Sequence, residues 1–143
     1  ILLQLLCNSE SYIYLTKGHI MKTSYYSKYR AGAGAVCIST YPPKWIKGKI
    51  PEYLKLAPQF NFRISYEEYL DKYFAQLAKL NPQQVWEELH QLTKGVEPVL
   101  LCYEAPPFNR HNFCHRHMVA EWIENHLGII VPEWEKPETD SLF

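Results

Sequence analysis

Hydrophobic residues recur every three or four positions in three segments of the chain, and this spacing predicts three amphipathic helices. The first is expected to begin after Ser65, because Ser65 and Glu68 match a capping box that satisfies free backbone N–H groups. Asn81 is the expected N-cap of the second helix, and the third is expected to span residues 113–127. The apolar stripes indicate packed core faces: Tyr66, Tyr69, Leu70, Tyr73, Phe74, Leu77 and Leu80; Val85, Trp86, Leu89 and Leu92; Val119, Trp122, Ile123 and Leu127.

Two runs of consecutive apolar residues, at positions 35–39 and 96–103, predict strands that are buried on both faces. Residues 23–27 and 129–131 are shorter candidates for further strands. Strands that alternate with helices are typical of an α/β protein with a mainly parallel sheet. The sequence therefore predicts a single compact α/β domain with a three-layer, Rossmann-like architecture.

The 143 residues fit one domain, which we expect at residues 21–132. Met21 opens a segment that looks like a natural start, so residues 1–20 are interpreted either as an extension or as a remnant of cloning. Residues 45–63 form a long irregular stretch with two prolines, which is typical of functional loops. Residues 133–143 are polar and contain proline, and we expect them to form a flexible tail.

The formal net charge of +0 at pH 7 argues against a protein that grips nucleic acid electrostatically, because such binding needs a basic surface. Residues 25–30 and 44–49 are short basic segments, and we interpret both as solvated surface. Nucleic acid is therefore kept as one possible partner, although the net charge does not favour it. The sequence contains no run of 18 apolar residues, so no membrane-spanning helix is predicted, and it predicts no oligomeric state.

The cysteines at positions 7, 37, 102 and 114 form no Cys-x-x-Cys pair. Cys37 and Cys102 lie in apolar runs, where a reduced cysteine behaves as a small hydrophobic residue. This pattern predicts reduced cysteines and a cytoplasmic location rather than a disulfide framework.

Polar residues follow the two predicted buried strands at their carboxyl ends. Ligands of open parallel sheets bind at this edge, which places Ser39, Thr40 and Glu104 at a candidate site. Glu104 could act as a general base if it is partly desolvated, or it could pair with an arginine. Ser39 and Thr40 could bind a ligand or only cap the strand. Lys44 and Trp45 could close over a ligand from the long loop, or pack on its surface.

Cys114, His115 and Arg116 fall in the first turn of the third helix if Asn112 is its N-cap. Free N–H groups and the helix dipole favour an anion there and lower the pKa of a thiol. A guanidinium at this position could grip phosphate or carboxylate. Cationic residues cost helix stability at such a place unless an anion compensates, which favours a functional site. The alternative is that Arg116 only pairs with a carboxylate such as Glu104 or Glu121.

Two further chemistries remain open for the same segment. A Cys-His nucleophile pair is one, but adjacent side chains on a helix point about 100 degrees apart. Cys114 would then need a base from elsewhere, such as His111 or Glu104. The other is a metal site built from Cys114, Glu104 and the histidines of this segment, His111, His115 and His117. No standard zinc signature matches, so we predict no metal and no cofactor.

With these residues in view, the chain resembles the bacterial and phage family known as domain of unknown function 488, from about Met21 to about Gly128. The resemblance rests on residues 23–30 (TSYYSKYR), AVCIS with PPKW after it, LAP at 56–58, LLCYE at 100–104, and the Cys-His-Arg triplet followed by Ala120-Glu121. The family usually has a shorter Glu-Lys-Pro link before Cys-His-Arg, where this chain has APPFNRHNF. Thr40 stands where many members carry arginine. The resemblance implies an α/β fold and a site around Glu104 and the triplet, but it implies no reaction.

These observations lead to one functional hypothesis and one alternative. We expect an enzyme that acts on a phosphate-bearing or otherwise anionic substrate, such as a nucleotide or nucleic acid. A non-catalytic module that binds a ligand or partner in the same pocket is the alternative. The predicted catalytic residues are Cys114, His115 and Glu104, and the predicted ligand-binding residues are Arg116, Ser39, Thr40, Lys44, Trp45 and His111. Arg116 and the backbone amides are favoured over Cys114 as the groups that bind the anion.

Overall fold

The computed structural model describes residues 20–138. Our interpretation of residues 1–20 therefore concerns a segment that, apart from Ile20, lies outside the described residues. The elements in chain order are β1 (Lys22–Tyr25), α1 (Tyr26–Tyr29), β2 (Ala35–Cys37), a short 3-10 helix (Leu54–Leu56), α2 (Tyr66–Ala78), α3 (Pro82–Leu92), β3 (Val99–Cys102) and α4 (His115–Leu127).

The three strands form a parallel sheet in the order β1-β3-β2, which confirms the predicted α/β class. Val99 pairs with Lys22 on one side and with Ala35 on the other. All four residues of the central strand β3 are buried, as its continuous apolar sequence requires. Because the strands are parallel, β2 and β3 end at the same edge of the sheet, and the chain segments after them lie side by side there.

Helices α2, α3 and α4 cover one face of the sheet. Their buried residues pack with Val36, Ile38 and Leu100 into the larger core, and Trp86 is among its fully buried side chains. The other face carries a smaller cluster around Tyr26, covered by the short helix α1 and by loop residues Ile46, Ile50 and Trp134. The layer on this second face is thus mostly irregular chain, rather than the long helices of a full Rossmann-like sandwich.

Local capping signals set the starts of α2 and α3 where the sequence predicts them. Ser65 accepts a hydrogen bond from the backbone N–H of Glu68, and Asn81 accepts one from that of Gln84. Gly128 ends α4 in the left-handed conformation, with φ at 70°. Among residues 20–138, none of the helices combines the length and apolar character that crossing a bilayer requires.

Replacing Asn81 by alanine is expected to lower the free energy of unfolding by about 1 kcal/mol, because the first turn of α3 loses its side-chain cap. Urea denaturation followed by circular dichroism measures this change. Asn125→Ala is the matched control, since Asn125 is exposed within α4 and alanine favours a helix there. Equal losses in both variants would show that the cap is not the cause.

One prediction about the C-terminal part of the fold is wrong, and another stays a prediction. Residues 129–131 form no strand; a single parallel bridge between Thr23 and Glu133 stands at that edge instead. The tail is expected to be flexible from residue 133 onward, yet the backbone N–H of Trp134 donates to the carbonyl of Thr23 at 2.7 Å, and the Trp134 ring packs edge-on against Tyr29. A backbone hydrogen bond and a ring contact thus place Trp134 against the sheet, in a segment whose local sequence is typical of a loose tail. Residues 139–143 lie outside the described part.

Candidate functional site

A cavity of about 410 Å³ opens at the carboxyl edge of the sheet. This volume falls within the usual range of small-molecule pockets, roughly 300–1,000 Å³. Its walls combine residues after β2 and β3 with the start of α4 and one tyrosine of α2: Ser39, Thr40, Tyr41, Pro58, Phe62, Tyr69, Cys102, Tyr103, Glu104, His111, Asn112, Phe113, Cys114 and His115. The structure therefore brings together six of the predicted site residues, namely Ser39, Thr40, Glu104, His111, Cys114 and His115.

The parallel pairing of β2 with β3 places Ser39 and Thr40 on this cavity. Ile38 continues the pairing by donating its backbone N–H to Leu101 at 3.2 Å, so the next residues line the edge. The hydroxyls of Ser39 and Thr40 already have protein partners, the Tyr26 hydroxyl and the Pro58 carbonyl respectively. These bonds support the alternative in which Ser39 and Thr40 only cap the strand end. Both residues nevertheless line the cavity.

Asn112 organises the loop between β3 and α4 rather than capping the helix. Its amide donates to the carbonyls of Ala105 and Pro107, both at 2.8 Å, and so closes the loop on itself. The prediction that Asn112 is the N-cap is wrong, because these bonds occupy its side chain. Cys114 takes the N-cap position, with extended backbone angles of φ −136° and ψ 140°.

The extended backbone at Cys114 changes the relation between Cys114 and His115. The two side chains do not diverge as neighbours within a helix do, and Cys114 Sγ lies 3.9 Å from His115 Nδ1. His115 Nε2 lies 2.6 Å from the carbonyl oxygen of Ile38. Because a carbonyl only accepts, Nε2 carries the proton and Nδ1 presents its lone pair to the sulfur. The two side chains are thus near each other, but a Cys-His nucleophile pair stays a prediction, because Cys114 is joined to Cys102 here.

Burial keeps His115 neutral. Its side chain is nearly inaccessible, and desolvation lowers its pKa to about 4, with the charge of Arg116 acting in the same direction. The hydrogen bond to Ile38 opposes this shift only in part. At neutral pH the residue is thus an uncharged imidazole that can accept a proton or bind a metal through Nδ1.

Cys102 and Cys114 are joined by a disulfide, whereas Cys37 is a free buried thiol. The prediction that Cys102 is a reduced, purely hydrophobic residue is wrong for this pair. Cys102 is buried as expected, but it is the last residue of β3 and so reaches the sheet edge beside the start of α4. The two sulfurs and His115 Nδ1 all lie within 4.8 Å of one another.

Arg116 is completely buried and does not line the cavity. Its Nε and Nη2 donate to the two carboxylate oxygens of Glu133, at 3.0 and 2.7 Å. Its Nη1 donates to the carbonyl oxygen of Glu104 at 2.6 Å and to Cys102 Sγ at 3.2 Å. The alternative that Arg116 pairs with a carboxylate is confirmed, but the partner is Glu133 rather than the examples Glu104 and Glu121, and Glu104 contributes only its backbone carbonyl.

The Arg116–Glu133 pair is an enclosed ion pair with bidentate geometry. The guanidinium also lies over the rings of Tyr25 and Phe108, 5.7 and 4.9 Å from their centroids. Burial alone would raise the pKa of Glu133, but the hydrogen bonds from Arg116 and Thr23 hold it below its ordinary value. The donors of Arg116 are therefore committed to the protein, and the predicted role of this residue in gripping a ligand anion does not fit the geometry.

Lys44 and Trp45 do not close over the cavity. Lys44 is exposed, and the Trp45 ring lies 5.4 Å from the guanidinium of Arg30. The long loop instead contributes Pro58 and Phe62 to the walls. The structure therefore does not bring Lys44 and Trp45 to this cavity, and their role in ligand binding stays a prediction.

The lining gives the cavity an aromatic, mildly acidic character. Its rings come from Tyr41, Phe62, Tyr69, Tyr103 and Phe113. Burial, with the nearby Glu104 carboxylate acting in the same direction, raises the pKa of Tyr69, so its hydroxyl stays protonated. Glu104 is the acidic residue among the described lining residues, which include no lysine or arginine.

The sequence of this domain matches the model of a known protein family. The model of the family described as domain of unknown function DUF488 matches residues 43–123, more than half of the chain. The chain belongs to the DUF488 family. This confirms the resemblance inferred from the sequence, and the match includes Glu104 and the Cys-His-Arg triplet. No curated protein and no solved structure matches the chain significantly.

Four residues at or beside this DUF488 site were not predicted as site residues from the sequence. Cys102 lies in an apolar strand, and the sequence indicates its position at the sheet edge only because Glu104 follows two residues later. Glu133 lies beyond the matched segment in a polar stretch with no local signal. Tyr69 and Phe113 look like core residues in the helical pattern, yet both also line the cavity.

Proposed function

We propose that this DUF488 domain is an enzyme for a small molecule with an aromatic or apolar body and a hydrogen-bond donor or positive charge. The observation that carries the proposal is the aromatic cavity at the carboxyl edge of the parallel sheet, with Glu104 as its carboxylate. Apolar walls with a few convergent polar groups are typical of small-molecule sites. A parallel sheet presents its ligands at this edge.

The charges around the cavity favour a neutral or cationic ligand over the phosphate-bearing one that the sequence led us to expect. Lysine and arginine are missing from the described lining, and the guanidinium of Arg116 is enclosed by Glu133. A phosphate in this cavity would therefore meet a carboxylate without a compensating cation. The same reasoning removes support for nucleic acid as the partner of this pocket.

The catalytic roles of Cys114, His115 and Glu104 remain predictions, and their common position supports them. All three line one cavity, and the Cys114 sulfur lies 3.9 Å from His115 Nδ1. Such a cluster offers chemistry that a purely hydrophobic pocket lacks, which favours an enzyme over the alternative of a non-catalytic binding module.

Three matched probes test the proposed ligand class: benzylamine, benzyl alcohol and benzyl phosphate. We expect benzylamine to bind more tightly than benzyl alcohol, and benzyl phosphate to bind most weakly, in titrations followed by amide chemical shifts. Glu104→Gln is expected to weaken benzylamine about fivefold, the worth of a partly exposed charge pair, and to leave benzyl alcohol unchanged.

Glu124→Gln is the control for the loss of one negative charge, because Glu124 is exposed on α4 and does not line the cavity. It should leave all three affinities as they are. Tightest binding of benzyl phosphate, or shifts confined to residues away from the cavity, would contradict the proposal.

A further inference from the structure

Three potential metal ligands converge among the residues that line the cavity. Cys102 Sγ, Cys114 Sγ and His115 Nδ1 lie within 4.8 Å of one another, and all three residues are buried. The separation of 3.9 Å between Cys114 Sγ and His115 Nδ1 is close to the spacing of about 3.6 Å that two ligands of one tetrahedral zinc ion adopt. The three residues also line the cavity, so a fourth coordination position would face it.

The imidazole of His115 is already oriented as a ligand. Its Nε2–H donates to the Ile38 carbonyl oxygen, with 2.6 Å between nitrogen and oxygen. The lone pair of Nδ1 is therefore directed at the sulfurs. Metal-binding histidines almost always donate their second ring N–H to a carbonyl or carboxylate in this way. Here the partner is a backbone group of the strand end, so the orientation is fixed by the sheet.

The backbone separation of the two cysteines suits an ion between their sulfurs. Their Cα atoms lie 7.2 Å apart, beyond the roughly 4.4–6.8 Å that disulfides usually span. Two thiolates on one tetrahedral zinc ion lie about 3.8 Å apart, whereas disulfide sulfurs lie about 2.05 Å apart. A bound ion therefore needs less convergence of the two chain segments than the disulfide does.

The surrounding charges fit a divalent ion with two thiolates. The buried guanidinium of Arg116 donates to Cys102 Sγ at 3.2 Å, a contact that favours an anionic sulfur. Glu133 balances the charge of Arg116, so that pair adds no net charge. Two thiolates would likewise balance a divalent ion. The loaded site would be neutral overall, which an enclosed environment requires.

We propose that Cys102, Cys114 and His115, with both cysteines reduced, bind one zinc ion whose open fourth position faces the cavity. Thiolate and imidazole ligands select zinc among the common divalent ions, and three protein ligands with an open position are typical of catalytic sites. This inference rests on the proposed function, since the ligand in the cavity is what the open position would meet. An ion of this kind makes bound water more acidic or polarises a ligand oxygen. The disulfide excludes it, because disulfide sulfurs are not thiolates.

The test uses the full chain, reduced with a phosphine and kept free of chelators. We expect one zinc ion per chain by elemental analysis, and cobalt(II) in its place should give thiolate-to-cobalt charge-transfer absorption with tetrahedral visible bands. Cys102→Ser and Cys114→Ser should each weaken zinc binding at least about 100-fold, because losing even an outer partner of a metal site costs about 10- to 100-fold. Cys37→Ser and Cys7→Ser are the controls and should bind zinc as the unaltered protein does.

Reduced protein whose cobalt complex shows no thiolate bands would overturn the metal site, and this result needs no variant to fold. Zinc affinity unchanged in Cys102→Ser would overturn it as well. Benzylamine titration of the oxidised, metal-free protein keeps the two proposals separate. Benzylamine binding without zinc binding removes only the metal site, and zinc binding without benzylamine binding removes only the proposed ligand class.

Discussion

Glu133→Gln is expected to lower the free energy of unfolding by about 3 kcal/mol, because it leaves the buried guanidinium of Arg116 without its counter-charge. Arg116 has no exposed side-chain surface, while the Glu133 side chain is 23% exposed. Removing one partner of a buried pair costs about 3–5 kcal/mol, and the partial exposure of Glu133 places this case at the lower end. Urea denaturation at pH 7 measures the change.

Glu135→Gln is the matched control for Glu133. The Glu135 side chain is 83% exposed, and its carboxylate lies 3.6 Å from Lys28 Nζ. An exposed pair of this kind contributes little, so we expect a change below about 0.5 kcal/mol. Similar losses in both variants would contradict the buried-pair interpretation, because they would indicate a general effect of charge.

The effect of Glu133→Gln should also depend on pH. Arg116 and Thr23 hold the pKa of Glu133 in the folded protein below the ordinary value of 4.5, against the opposing effect of burial. The ionised carboxylate therefore stabilises the fold at pH values above about 4.5, and this contribution is lost as the pH falls from there through the lowered pKa. The stability difference between unaltered protein and variant should shrink over that acidic range.

Gly34→Ala is expected to lower the free energy of unfolding by about 4 kcal/mol. Alanine would have to adopt a left-handed backbone conformation, and its Cβ would clash with neighbouring backbone atoms. Gly34 has a φ of +76°, and a Cβ there would run into the carbonyl oxygen of Glu97. The Gly34 carbonyl also accepts the backbone N–H of Val99 at 2.8 Å, at the start of the β2–β3 pairing. The substitution would push β2 from β3, and with it the strand end that carries Ser39 and Thr40.

Gly48→Ala isolates the collision at Gly34. Gly48 has a similar φ of +80°, but an added Cβ there would meet nothing within 4 Å. We expect a loss of only about 1–2 kcal/mol, the left-handed cost alone. If thermal or urea unfolding gave equal losses for both glycines, close packing against Glu97 would not be the cause.

The parts of the fold that follow from local chemistry could be predicted from the sequence. Ser65 and Asn81 cap helices through side-chain bonds that span three residues, so the sequence around each shows them. Val99–Cys102 forms a buried central strand because four apolar residues in a row suit only an interior position. The DUF488 match likewise rests on sequence, and it agrees with the resemblance found from short fragments.

The parts that depend on contacts distant in sequence could not be predicted. The sequence flags both Cys102 and Cys114, but their meeting depends on where β3 ends relative to α4. Arg116 stands out as a cation at a helix start, yet its partner Glu133 follows 17 residues later in a segment without helical or strand pattern. The inferred anion site rested on the helix start together with an unpaired arginine, and the distant carboxylate removes the second of these premises.

The bridge between Thr23 and Glu133 has a consequence for how the protein is made. Thr23 makes both of its edge hydrogen bonds with residues 132–134: its N–H donates to the Pro132 carbonyl, and its carbonyl accepts from the Trp134 N–H. During synthesis β1 emerges early, but its outer edge has no partner until residues 132–134 leave the ribosome. Until then the nascent chain exposes an open strand edge, the kind of surface that other chains can pair with. The outer edge of β1 is therefore completed only after about 110 further residues have been synthesised.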